Sequence, residues 1–143
     1  MKELKEGDKA PEFLELAANK GSTVVLYFYP KDFTPGCTTE ACEFRDQYER
    51  IQENDAVIIG VSPDTSETHE KFIAKHGLPY TLVADEANEI SVAYGVWKEK
   101  SMYGKKFMGV ERSTFVIGPD GHIKKIFRRV KPVGHATQVL AAI

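Results

Sequence analysis

Thr23-Val24-Val25-Leu26-Tyr27-Phe28-Tyr29-Pro30, then Lys31-Asp32-Phe33-Thr34-Pro35-Gly36-Cys37, then Thr38-Thr39-Glu40-Ala41-Cys42, is the stretch on which the fold turns. Its first part is β-branched and aromatic, carries no charge, and stops at a proline that cannot donate to a sheet ladder, so it predicts a buried strand. From Thr38 to Glu53 the apolar residues Phe44, Tyr48 and Ile51 recur at helical spacing among charged ones, which predicts an amphipathic helix. A buried strand that passes through a short loop into such a helix opens a crossover unit of a helix-covered sheet.

The same alternation continues on the C-terminal side. Val57 to Val61 reads as a second buried strand, stopped by Ser62-Pro63-Asp64. A helix follows from Ser66 to His76, with Phe72 and Ile73 inward and Gly77 at its stop. Then come a short strand, Tyr80 to Val83, and a helix from Glu86 to Tyr94, capped by Asp85 and ended by Gly95. Arg112 to Ile117 and His122 to Arg128 flank the turn signal Gly118-Pro119-Asp120-Gly121, and a last helix covers Val133 to Ile143. The expected fold class is α/β, of thioredoxin-like type: a central, mainly parallel mixed sheet with a C-terminal β-hairpin, flanked by helices. No repeat, linker or low-complexity tract interrupts the chain, so residues 1–143 are expected to form a single domain.

Composition narrows the function classes. Of 143 residues, 42 % are hydrophobic and 28 % charged, with a net charge of −2, which disfavours a phosphate-tracking nucleic-acid binder. The longest apolar run, Val24 to Tyr29, is too short to cross a bilayer, and the charged start Met1 to Asp8 lacks the apolar middle of a secretory signal. A cytoplasmic, reducing setting is therefore expected, where a cysteine pair more often has a redox or catalytic task than a scaffolding one. Among the four scattered histidines, His69 and His76 share a helix face without a third ligand and read as solvated surface; no metal or cofactor is expected. Lys98 to Met108 mixes basic and aromatic residues and reads as a loop beside the active site, not as a nucleic-acid surface. Neither a phosphate-binding glycine loop nor a serine nucleophile elbow is present.

Chemistry concentrates at Cys37, where strand and loop give way to a helix. Backbone N–H groups of a first helical turn are unpaired and carry partial positive charge, so the expected state of the sulfur at neutral pH is the thiolate. Thr34 can place a hydroxyl beside it, Pro30 and Pro35 stiffen the loop, and Gly36 permits close backbone approach. Cys42 follows five residues later in the same helix, which separates the two Cα atoms by roughly 9 Å and points the side chains some 140° apart. A disulfide requires Cα atoms within about 7 Å. If Cys42 closes a bond with Cys37, the first turns of the helix must unwind; otherwise Cys42 is a passive core residue and another thiol takes that part.

The segment Val25 to Cys42 resembles the active-site stretch of the peroxiredoxins, and within them that of the bacterioferritin comigratory protein or Q-type subfamily. Gly60-Val61-Ser62-Pro63-Asp64, Ala93-Tyr94-Gly95-Val96-Trp97, Arg112-Ser113-Thr114-Phe115 and Gly134-His135 agree with it in consistent order, from about Leu4 to the C-terminus. The resemblance implies a thioredoxin-dependent peroxidase that reduces hydrogen peroxide and organic hydroperoxides. It implies that Cys37 is the peroxidatic cysteine, that Cys42 resolves its sulfenic acid as an intramolecular disulfide, and that Thr34 and Arg112 orient the peroxide. Pro30, which shields the site, Gly36 and Glu40 are expected around the substrate, although an acid in a first helical turn is also ordinary helix design. Trp97, Tyr103 and Met108 would shape peroxide access, and subfamily members are commonly monomers. The pattern departs in one place: relatives usually carry a hairpin and linker before the central strand, where only Leu14 to Ser22 stands here. Two rival readings remain, a redox sensor or holdase that reacts once, and a thiol–disulfide oxidoreductase, which normally carries Cys-x-x-Cys.

Overall fold

The computed structural model describes residues 3–143. Among them, seven strands and five helices follow in the order α1 (Leu14–Ala18), β1 (Thr23–Phe28), α2 (Pro35–Glu53), β2 (Ala56–Ser62), α3 (Ser66–His76), β3 (Thr81–Ala84), α4 (Glu89–Ala93), β4 (Trp97–Met102), β5 (Lys105–Val110), β6 (Ser113–Ile117), β7 (Ile123–Phe127) and α5 (His135–Ala142). The main sheet has the order β3-β2-β1-β6-β7. β1–β2 and β2–β3 pair in parallel through the α2 and α3 crossovers, whereas β1–β6 and β6–β7 pair antiparallel. The sheet is thus mixed, half parallel and half antiparallel, in a thioredoxin-like α/β arrangement.

All six residues of β1 are buried, as its uncharged sequence demands for a central strand covered on both faces. Val25, Tyr27 and Tyr29 join Phe44, Ile51, Phe72, Ala136 and Val139 in one core layer beneath α2, α3 and α5. Val24, Leu26 and Phe28 point the other way, into a second layer with Leu16, Tyr94, Val96, Val110 and Phe115. Tyr27 lies opposite Gly60 in the β1–β2 register, and a Cβ on Gly60 would stand 2.9 Å from the Tyr27 ring, so only glycine leaves room for it.

Three segments differ from the sequence expectation. Lys98 to Met108 is not a loop but most of a second, two-stranded sheet, β4–β5. Its turn holds Tyr103 (φ 53°) and Gly104 (φ 78°) both at positive φ, the conformation that matches the twist of a tight hairpin. The helix expected over Glu86 to Tyr94 is confined to Glu89–Ala93. Asp85 still caps it from upstream, its carboxylate accepting from the Ile90 and Ser91 N–H groups at 3.1 and 2.9 Å. Leu14 to Ser22 holds the five-residue helix α1 and a turn, with Leu16 packed into the second core layer.

Candidate active site

α2 begins at Pro35, three residues before the expected Thr38. Pro35 has its φ preset for a first helical position, and Thr34 ahead of it is extended (φ −83°, ψ 151°). Cys37 therefore lies inside the first turn, where N–H groups have no intrahelical acceptor. It is buried, 2 % exposed, with its sulfur on the α2 face of the main core.

Arg112 precedes β6 and reaches back to this turn. Its Nη2 donates to Cys37 Sγ at 3.2 Å and its Nη1 to Glu40 Oε1 at 2.7 Å. Its backbone carbonyl accepts from Val130 N–H at 3.0 Å, which fixes the root of the side chain. A Cβ on Gly36 would come within 3.4 Å of Arg112 Nη2, so the bare backbone there lets the guanidinium lie against the helix start. Burial alone would lower the guanidinium pKa, but the Glu40 carboxylate and the Cys37 sulfur outweigh it and raise it above its usual value.

Glu40 sits one turn after Cys37 with its side chain fully buried, and its Oε2 has no hydrogen-bond partner. Burial pushes its pKa from 4.5 up to about 7, with Arg112 pulling down and Glu43 adding to the rise. A carboxyl with a folded value above its free value stabilises the fold most at low pH, and that contribution is lost as pH climbs through the folded value. Wild-type stability should therefore carry a falling limb from the ordinary carboxylate range to about pH 7 that is absent in Glu40→Gln. Denaturant unfolding at a series of pH values reads this directly; parallel curves for the two proteins would contradict it.

Thr34 is placed differently from the expectation. Its hydroxyl donates to the Lys31 carbonyl at 2.8 Å, not to the sulfur. Phe33 before it takes a positive φ of 64°, and the hydroxyl closes a short turn three residues back. The same loop is anchored by Asp32, which is buried. Asp32 Oδ2 lies 2.6 Å from His69 Nδ1, Oδ1 accepts from the Tyr29 hydroxyl at 2.6 Å, and Asp32 N–H donates to Asp64 Oδ2 at 2.8 Å.

His69, expected on the solvated surface, is thus a buried residue that ties α3 to the loop before Cys37. Its Nε2 meets the Val83 carbonyl at 3.0 Å, so both ring nitrogens face acceptors, which only the doubly protonated imidazolium satisfies. Burial would depress its pKa, but the bonds to Asp32 and Val83 prevail and hold it above the usual value. Asp32, Asp64 and His69 bring ligand-type atoms within 4.8 Å of one another, but these atoms already bond to each other and to protein neighbours.

Cys42 is half-buried further along α2, and both cysteines are free thiols. The Cys42 sulfur contacts His76 Nδ1 at 3.8 Å, near where Arg45 Nη1 donates to the His76 carbonyl at 2.7 Å. Pro30 is half-buried at the end of β1. Of the hairpin residues expected to border the site, Tyr103 at the tip is 98 % exposed, and Met108 is exposed as well. The hairpin residue whose charge senses the site is Lys100, partly buried and opposite Phe107. Its pKa is lowered by burial and by Arg112, against Glu111 and Cys37. The sequence points to neither Lys100 nor Asp32 as a site residue, and it reads His69 and His76 as solvated surface. The alternation of Lys98 and Lys100 was the available signal for the first; nothing local marks the others.

The profile of the AhpC/TSA family matches residues 2–126. Peroxiredoxin Bcp of Bacillus subtilis is 49 % identical over 96 % of this chain and 93 % of its own length. Among solved structures, a cysteine-to-serine mutant of Xylella fastidiosa PrxQ superposes with a TM-score of 0.92 at 37 % identity, covering 99 % of this chain and 96 % of that one. A Xanthomonas campestris bacterioferritin comigratory protein, studied for alkyl peroxide reduction through trapped intermediate and ligand complexes, superposes with a TM-score of 0.85 at 46 % identity, covering 89 % and 81 %. A buried thiol at a helix start, bonded by an arginine from just before a neighbouring strand and found in a chain that matches these proteins almost end to end, leads to one conclusion: the chain belongs to the AhpC/TSA family, among the Bcp or Q-type peroxiredoxins.

Proposed function

We propose that this enzyme, a thiol-dependent peroxidase, works as one domain through Cys37, and that the observation carrying the reading is the 3.2 Å contact between Arg112 and the Cys37 sulfur at the start of α2. The Cys37 thiolate attacks the distal oxygen of a hydroperoxide and the O–O bond breaks. The sulfur becomes a sulfenic acid carrying the hydrogen of the attacked oxygen, and the departing alkoxide or hydroxide takes a proton from solvent to leave as alcohol or water. Negative charge passes from sulfur to the departing oxygen, so a fixed guanidinium beside both stabilises the transition state. Thr34 keeps free lone pairs on its hydroxyl while donating to Lys31, so it can accept the peroxide O–H; Pro30 and Gly36 bound the approach.

Cys42 then attacks the Cys37 sulfenic sulfur, forms the disulfide and releases water. The roughly 9 Å between their Cα atoms in an intact helix requires α2 to unwind upstream of Cys42. Two electrons and two protons from a dithiol, for which thioredoxin is the fitting reductant, restore both thiols. An intramolecular disulfide needs no second subunit, so a monomer acting in a reducing cytosol is the matching state. No described helix is long and apolar enough to cross a membrane.

Cys42→Ser tests the cycle. One rapid equivalent of peroxide should be consumed, followed by a stable sulfenic acid and no thioredoxin-driven turnover. Intact-mass measurement after one equivalent of peroxide distinguishes the outcomes. A Cys42→Ser enzyme that keeps cycling would remove Cys42 from the mechanism, and wild type that reacts once and stops would favour the sensor reading.

A further inference from the structure

The resolving thiol has to lose its proton, because the thiolate is the nucleophile, yet Cys42 sits past the second turn of α2 and lacks the N–H groups that serve Cys37. What it does have is His76, the last residue of α3, with Nδ1 3.8 Å from Sγ. The ring is held by the Phe72 edge at 5.1 Å and by Phe33 at 6.5 Å, the latter from the loop that precedes Cys37. Arg45 from α2, paired with Asp46 at 3.0 Å, donates to the His76 carbonyl at 2.7 Å, and Lys75 precedes His76 on its own helix. The Tyr80 hydroxyl is committed to Tyr27 and to the Ala41 carbonyl and is unavailable as a base.

Resting on the assignment of Cys42 as the resolving cysteine, we propose that His76 is the general base of the resolving step. As Cys42 attacks the Cys37 sulfenic sulfur, the imidazole takes the thiol proton, the S–S bond forms and the S–O bond breaks. The departing hydroxide takes that proton from the imidazolium and leaves as water, so the step needs no reagent beyond the two side chains and His76. The anchoring of α2 keeps Cys42 within reach of the ring while Cys37 moves. Tyr80 OH bonds the Ala41 carbonyl at 3.0 Å, Phe44 is buried in the core, and Arg45 Nη1 holds the His76 carbonyl at 2.7 Å. Upstream of these ties the helix start has to release the Arg112 bonds to Cys37 and Glu40 as it unwinds, and the sulfenic acid then travels to the waiting thiol.

Single-turnover experiments with one equivalent of hydrogen peroxide separate the two steps, using quenched alkylation and mass spectrometry to time loss of the Cys37 thiol and appearance of the 37–42 disulfide. In His76→Asn the first step should keep its wild-type rate while disulfide formation slows about 100-fold, the scale of a lost general base. The pH dependence of disulfide formation should differ from that of wild type, while the pH dependence of the first step should not. Added imidazole should restore resolution in His76→Gly, which a purely structural role would not allow; if that variant folds poorly, the pH profile of His76→Gln carries the same test. Unchanged resolution rates and profiles in the variants would overturn the role of His76. Absence of a 37–42 disulfide in wild type would instead overturn the assignment of Cys42, and the role of His76 with it.

Discussion

Replacing Cys37 by serine is expected to abolish peroxide consumption while leaving the fold in place. A serine hydroxyl is not ionised near neutral pH, so neither the N–H groups of the α2 start nor the Arg112 guanidinium has an anion to hold. The change is nearly isosteric at a buried site, and Arg112 Nη2 can still donate to the new oxygen, so the stability loss should stay near the ordinary value for a point substitution, about 1 kcal/mol. NADPH oxidation coupled through thioredoxin reductase and thioredoxin, with hydrogen peroxide and then an organic hydroperoxide, should fall to the buffer background, while thermal unfolding stays cooperative. Turnover that survived the substitution would mean that Cys42 or another group carries the chemistry.

Arg112→Met is expected to lower the second-order rate with peroxide by about 100- to 1,000-fold, equivalent to about 2.7–4 kcal/mol of transition-state stabilisation. The methionine keeps an unbranched, flexible stem and removes the charge bonded to both the sulfur and Glu40. It also strands the Glu40 carboxyl, which is already pushed up to about 7 by burial and would then lose the cation that pulls it down. The double variant Arg112→Met/Glu40→Gln removes that stranded group. Its stability should recover toward wild type while the rate stays low, separating a chemical defect from a folding one. Recovery of the rate along with stability would show that Arg112 acts through the fold and not on the reacting atoms.

The parts of the molecule readable in the chain are those where neighbours in sequence decide the outcome. Val24 to Tyr29 and Val57 to Val61 are apolar because both their faces are covered, and Phe44 and Ile51 fix the inner face of α2. Cys37 stood out because proline and glycine precede it between a strand and a helix, and the structure does place it in the first turn. What escaped depends on partners far away in sequence. The burial of His69 is explained by Asp32, 37 residues earlier, and a helical histidine carries no local sign of such a partner. The β4–β5 ribbon is built from Lys, Glu and Ser because much of its surface meets solvent, so it lacks the apolar alternation that identifies a strand, and only Gly104 hinted at its turn. Arg112 was legible as a candidate through resemblance alone, since the sequence separation of 75 between it and Cys37 is bridged by the sheet, not by any spacing.

The imidazolium of His69 gives the enzyme an acid-side lock on its reactive loop. Because the histidine binds its proton more tightly in the fold than when free, the grip on Asp32 is complete below the ordinary imidazole value and fades as pH rises through the folded one. Alkalinity then loosens the chain just ahead of the reactive turn.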